Sequence, residues 1–158
     1  MNKNAPEALK WIVDILRKNK IPFRISGGLA VRAYGSKRDL VDIDIEIRDK
    51  DFEKILPFIK KFKYVGPNKY RDDEWDTIGL AIDYKGQSVE FCGADSQKIF
   101  NKNTKIWERL ESDLNDFENK IVFGIEVPII PKKELIKYKS KIRRRVDLVD
   151  VEFLTRDP

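Results

Sequence analysis

The sequence predicts an α+β fold, a mixed β-sheet with helices packed on it. Three observations carry that reading. Helical and strand periodicities alternate through the first half of the chain, the second half is mostly strand-like, and the chain ends in a basic stretch of helical period. An apolar content of 41% with 11% aromatic residues is enough for a packed core. At 158 residues a single domain is expected, with a core over about residues 5–92 and a C-terminal strand and helical extension over about residues 93–158.

Residues 5–19 read as an amphipathic helix. Leu9, Ile12, Val13 and Leu16 form its stripe, Trp11 and Ile15 widen it, and Asn4, Pro6 and Glu7 supply a cap, an early proline and the acid of a capping box. "IPFRIS" is a short strand ended by Gly27-Gly28, from which "GLAVRAY" opens as a short helix. After the loop "GSKRDL", "VDIDIEI" alternates strictly and reads as a strand with one apolar face. "DKDFEKILPFIKKF" is a helix on Phe52, Ile55, Leu56 and Ile59, which Pro57 kinks or shortens. Beyond a polar connector, "TIGLAIDY" and "QSVEFC" make a β-hairpin about Lys85-Gly86. Between Ala94 and Asn119 periodicity is weak, and "WERLESDLNDF" is read as containing a helix. "KIVFGIEVPII" is a strand or a pair of short strands. "PKKELIKYKSKIRRRVDLVDVEFL" is a long basic helix with a break near Val146.

Composition narrows the chemistry. There is no histidine, which removes the commonest general base, the commonest transition-metal ligand and every histidine-dependent nucleophile. Catalysis would run on carboxylates, lysine, arginine, tyrosine or a hard cation, and magnesium is the metal that suits oxygen ligands. The single cysteine, Cys92, excludes an internal disulfide framework and fits a reducing compartment. "MNKNAPEALK" does not read as a signal peptide, and no apolar run approaches the roughly 20 residues of a membrane span. A cytoplasmic protein is expected. The net charge of +5 suits an anionic partner such as a nucleotide or nucleic acid.

The stretch "RISGGLAVRAYGSKRDLVDIDIEI" concentrates the candidate chemistry. A strand, two glycines and a helix start let a phosphate approach the backbone, with Ser26 adding a hydroxyl. Taken alone, such a pair is also an ordinary tight turn. Period-two geometry puts Asp42 and Asp44 on one face, about 7 Å apart, with Ile43, Ile45 and Ile47 on the other. Two such carboxylates can share divalent ions roughly 3.5–4 Å apart, or simply be a wet strand face; Glu46 reads as surface. A third carboxylate from a neighbouring strand would favour the metal. Glu90, between Val89 and Phe91, and Asp83, in the other hairpin strand, are the candidates.

The glycine pair, the thirteen residues that follow it and Asp42-Ile43-Asp44-Ile45 resemble the signature of the DNA polymerase β-type nucleotidyltransferase superfamily. Within it the chain is most similar to the small antibiotic-nucleotidyltransferase-like and minimal nucleotidyltransferase proteins, including the lincosamide and aminoglycoside adenylyltransferases. The similarity runs from Ile21 to Phe91 and, more weakly, over "ELIKYKSKIRRRVDLVDVEFL", whose Lys139, Arg143, Asp147 and Asp150 resemble the family's helical ending. Arg38 matches a frequent basic position, whereas Leu40 stands where many relatives carry Thr or Ser.

The resemblance implies a nucleotidyltransferase fold and transfer of a nucleoside monophosphate from an NTP, ATP foremost, to an acceptor hydroxyl, with release of pyrophosphate. It implies that Asp42, Asp44 and Glu90, rather than Asp83, hold a two-ion magnesium site and carry catalysis. Ser26, Gly27 and Gly28 would cradle the β- and γ-phosphates, and Lys139 with Arg38 or Arg143 would meet the leaving pyrophosphate. The acceptor would be a small molecule, a protein or RNA, with a homodimer as one way to complete the site. Trp75 either stacks on acceptor or base or packs as an anchor. Two other readings stand beside this one: a non-catalytic nucleotide- or nucleic-acid-binding module acting through the basic helix, and a toxin–antitoxin component that modifies or neutralises a partner protein or tRNA.

Overall fold

The computed structural model describes residues 3–156, and its organisation follows from the two faces of one strand. Helix α1 (Ala5–Lys18) leads to β1 (Phe23–Ser26), α2 (Gly27–Ala33) and β2 (Asp42–Ile47). A 3-10 turn at Asp49–Asp51, the four-residue α3 (Phe52–Ile55) and a second 3-10 turn at Leu56–Phe58 follow, so Pro57 breaks the expected longer helix. Then come β3 (Lys63–Arg71), β4 (Trp75–Tyr84), β5 (Gln87–Gly93), β6 (Lys98–Asn101), β7 (Ile106–Arg109), β8 (Glu118–Val122), β9 (Ile125–Ile129), α4 (Lys132–Ile142) and α5 (Arg145–Arg156). Among the described residues no helix is long and apolar enough to cross a membrane.

The sheet runs β7-β6-β4-β5-β2-β1-β9-β8, with β3 on the other edge of β4. β2 pairs antiparallel with β1 and parallel with β5, and β1 pairs parallel with β9. Paired residues share a face, so Phe23, Ile25, Ile43, Ile45, Ile47, Val89 and Phe91 line one side. That side is buried under α1, whose Leu9, Ile12 and Leu16 are fully enclosed and whose Trp11 stacks on Tyr84 at 4.7 Å. Buried apolar residues from Ala5 to Leu154 join in one cluster.

The opposite face carries Arg24, Ser26, Asp42, Asp44, Glu46, Ser88, Glu90 and Cys92, and α4 lies over it. Its far end is neutralised internally. Arg24, 1% exposed, donates from Nε to Glu46, from Nη1 and Nη2 to Glu134, and onward to Ser112 Oγ and the Asp116 carbonyl. Glu46 is therefore a buried partner and not the surface residue expected; its cation lies on the adjacent strand, where local periodicity does not show it.

Other expectations are corrected. The "polar connector" contains β3, an edge strand with a bulge between Val65 and Asn68; it pairs through its backbone while its side chains stay largely exposed, so no apolar alternation marks it. "WERLESDLNDF" holds no helix: Trp107 lies in β7, edge-on to Phe100 at 5.5 Å, and residues 110–117 are irregular around the Arg24 guanidinium. Asn4 and Glu7 form no capping box; Asn4 Nδ2 donates to the Lys85 carbonyl, and Glu7 accepts from Lys85 Nζ and the Tyr84 hydroxyl. "KIVFGIEVPII" is the β8–β9 hairpin. The basic C-terminal stretch breaks at Arg143, which adopts a left-handed conformation (φ 58°), rather than at Val146.

Arg24→Leu should cost about 3–5 kcal/mol in urea unfolding, because Glu46 would stay buried without its cation. Glu134→Gln, at a partly exposed carboxylate, should cost less than half as much. An unchanged midpoint in Arg24→Leu would show that the pair contributes nothing to the fold.

Candidate active site

The polar face opens into a cleft of about 570 Å³. Register builds its floor: Asp44 on β2 sits beside Glu90 on β5 and Ser26 on β1, with Asp42 two residues away on the same face. Asp42, Asp44 and Glu90 all line the cleft, and among the described residues none of the three joins a salt bridge. Among the described residues Glu90 accepts only a long hydrogen bond, 3.4 Å, from Ser88 Oγ.

The electrostatics follow from that crowding. Asp44 opens onto the cleft but is enclosed by its walls, and its carboxyl is pushed up to about 7, first by lost solvation, then by the charges of Glu90 and Asp42. Burial raises Asp42, and burial with the charge of Asp42 raises Glu90. Three repelling, unpaired carboxylates on one wall have the electrostatics of a cation site. Among the described residues no three carboxylate or thiolate groups form a preformed metal cage. An open set suits magnesium, which commonly takes one or two carboxylates and completes its shell with water and substrate phosphate.

Asp83 is placed elsewhere. It is exposed, does not line the cleft, and its Oδ1 accepts the Gly86 N–H at 2.7 Å, fixing the hairpin turn.

Ser26, Gly27 and Gly28 form the adjacent wall. Gly27 has φ +61°, and a Cβ there would stand 2.1 Å from Asp44 Oδ2, so backbone and carboxylate approach as only glycine allows. A Cβ on Gly28 would stand 2.8 Å from Arg38 Nη2, which places the guanidinium directly over the start of α2. The Gly27 N–H is taken: it donates to the Tyr138 hydroxyl at 3.1 Å. Any backbone cradle therefore starts beyond Gly27.

The basic wall comes from α4, α5 and the loop before β2. Arg38 forks onto Asp150, with Nε–Oδ1 at 2.6 Å and Nη2–Oδ2 at 2.9 Å. Lys139 Nζ lies 3.0 Å from both Asp147 and Asp150. Arg144 closes on Asp147 from Nε at 2.7 Å, and its backbone N–H donates to the same carboxylate at 3.0 Å. Arg38, Lys139 and Arg144 all line the cleft; the exposed Arg143 does not. Sequence reasoning missed Arg144 because the break at Arg143 decides which member of the exposed Arg-Arg-Arg run borders the cleft. It also missed Tyr138, for which its aromatic character beside Lys139 in a basic helix was the available signal. Leu40 is buried in the core.

The outer wall is the β3–β4 ribbon, with Asn68, Tyr70, Asp72, Trp75 and Thr77. Trp75 packs edge-on to Tyr138 at 5.9 Å while still bordering the cleft. Asp72 is committed to the turn, accepting from the Glu74 and Trp75 N–H groups and the Tyr70 hydroxyl.

No family model matches the chain, and no curated protein matches it in sequence. Solved structures do. A candidate nucleotidyltransferase from Thermotoga maritima matches with a TM-score of 0.68 and 18% identity, over 98% of this chain and 96% of that one. Lincosamide antibiotic adenylyltransferase LnuA, solved with lincomycin bound, gives 0.63 and 14%, over 94% and 95%. ANT(2'')-Ia, solved in complex with adenylyl-2''-tobramycin, gives 0.68 and 12%, over 98% and 89%. At these identities the likeness is one of architecture: the chain has the nucleotidyltransferase fold.

Proposed function

We propose that the protein is a magnesium-dependent nucleotidyltransferase that moves a nucleoside monophosphate from an NTP, ATP foremost, to an acceptor hydroxyl. The observation that carries this is the juxtaposition, in one cleft, of three unpaired carboxylates with a glycine pair and three cations. The nucleotidyltransferase fold supports it.

Each group has a role its chemistry suits. Asp42 and Asp44, with Glu90, would hold one or two magnesium ions, whose positive charge stabilises the triphosphate and the charge developing at the α-phosphorus. Glu90, raised by burial and by Asp42, would accept the proton of the acceptor hydroxyl as its oxygen bonds to the α-phosphorus and the bond to the β-phosphate oxygen breaks. Ser26 and the backbone from Gly28 onward would receive the β- and γ-phosphates. Arg38, Lys139 and Arg144 would stabilise the departing pyrophosphate. The β3–β4 wall, with Tyr70 and Trp75, would receive the acceptor or the base.

Incubation with each of the four α-labelled NTPs, magnesium and cell extract tests the whole reading: label should pass from one NTP into an acceptor fraction. Absence of transfer from all four would remove the reading. Asp44→Asn should abolish transfer, and Glu90→Gln should lower kcat roughly 10²–10⁴-fold with little change in NTP affinity. Asp83→Asn should leave both unchanged, since that carboxylate holds a turn. A loss of turnover in Asp83→Asn with none in Glu90→Gln would reverse the assignment.

The metal role has a readout free of turnover. Because the Asp44 carboxyl is raised to about 7 in the fold, its contribution to stability is fully present below the ordinary aspartate pKa and is lost as pH rises through 7. In chelator, Asp44→Asn should therefore be more stable than the parent near pH 8, by on the order of 1–3 kcal/mol. It should also lose the parent's decline between pH 4 and 7. Magnesium should raise the parent's Tm more at pH 8 than at pH 6 and leave the Asp44→Asn Tm unchanged. A destabilised Asp44→Asn near pH 8 would mean the carboxylate holds the fold together and is not kept for a cation.

A further inference from the structure

We propose that Asp150 is a positioning residue for the phosphate end of the cleft, acting through Arg38; this rests on the nucleotidyl-transfer reading. Arg38 lies in the loop between α2 and β2, and its side chain is only half-buried. An arginine so placed has many rotamers, and ordering it during binding would weaken affinity. Its other described bonds run from Nη1 to the carbonyl of its own neighbour, Asp39, at 3.1 Å, from its backbone N–H to Ser36 Oγ, and to its backbone carbonyl from Arg32 Nη1 at 3.4 Å. None of them ties the guanidinium to another element. Asp150 does: 1% exposed on α5, it takes Nε and Nη2 in a two-pronged bond.

The orientation of Asp150 is itself fixed. Its Oδ2 lies 3.0 Å from Lys139 Nζ, which lies 3.0 Å from Asp147, which in turn holds Arg144. Cations and carboxylates alternate along this chain, and the three cations line the cleft while the two carboxylates are buried. Three positive charges against two negative leave the wall net positive. The fork holds the Arg38 guanidinium over Gly28, and two of its five N–H groups are not engaged by the described bonds. A triphosphate at the start of α2 would meet a guanidinium already in place.

The test is affinity for the α,β-methylene analogues of the four NTPs with magnesium, measured by calorimetry. Asp150→Asn should weaken binding of the cognate analogue about 10- to 100-fold, as expected for lost charge-assisted contacts. Arg38→Ala should weaken it by a similar factor, and the double variant should be no weaker than Arg38→Ala alone. A purely structural Asp150 would lower Tm, and its effect on binding would multiply with that of Arg38→Ala; that outcome overturns the proposal, as does unchanged affinity in Asp150→Asn. Arg38→Lys, on the half-buried loop, covers the case in which Asp150→Asn does not fold: it keeps the charge but loses the fork, so it should also weaken binding, and parental affinity overturns the proposal. If the parent binds none of the four analogues, the nucleotidyl-transfer reading falls and the role of Asp150 falls with it.

Discussion

Isoleucine and carboxylate alternate along β2, and that single register supports both the core and the candidate site. Ile43, Ile45 and Ile47 are fully buried, which pins the strand against slipping by one residue: a slip would drive three carboxylates into the apolar face under α1. With the register pinned, pairing does the rest. Antiparallel β1 brings Ser26 to Asp44 and Arg24 to Glu46, and parallel β5 brings Glu90 to Asp44. Mutual repulsion among Asp42, Asp44 and Glu90 is held in place by hydrophobic burial on the opposite side of the same strands. The two ends of the polar row then differ in one respect. Glu46 has a buried arginine, and the other three acids have no salt-bridge partner among the described residues.

The roof over that row depends on a break. If α4 and α5 were one helix, Asp147 and Asp150 would continue along its axis, away from Lys139. The left-handed conformation at Arg143 turns the chain, and α5 packs back on α4 with its two aspartates against Lys139. Asp147 serves three groups: Lys139 Nζ, the Arg144 guanidinium and, at the start of α5, the Arg144 backbone N–H. The Tyr138 hydroxyl receives the Gly27 N–H, linking α4 to the start of α2. The glycine pair is thus a place where backbone, carboxylate and guanidinium approach closely, rather than a simple row of free N–H donors.

What was legible in the sequence was local and periodic. The stripe of α1, the β2 alternation, the Gly27-Gly28 turn and the β4–β5 hairpin each write their signal within a few residues, and the acids and glycines of the cleft lie in those elements. Glu90 and Asp83 could not be separated by alternation alone; parallel pairing with β2 puts Glu90 beside Asp44, whereas the hairpin turn takes Asp83. What was not legible depended on distant partners. β3 and β7 lie outside the central strands and bury few side chains, so neither shows a periodic face. Glu46 looks like surface until Arg24, on the adjacent strand, is paired with it. Arg144 is chosen over Arg143 by a helix break that no apolar pattern announces.

That division of legibility matches a division of labour in the cleft. The carboxylates and the glycine pair sit on β1, β2, β5 and the start of α2, where one misplaced side chain would disturb the common core. The opposite wall belongs to the β3–β4 ribbon, where Asn68 and Tyr70 are exposed and the strand carries a bulge. Substitution there leaves the core register untouched, because the ladder is held by backbone bonds. Under the proposed function, chemistry is therefore carried by strands whose opposite face is the buried core, and recognition by a ribbon held through its backbone. Under that reading the acceptor is selected by side chains of a ribbon whose pairing is all backbone, so selectivity can change there without moving Asp42, Asp44 or Glu90.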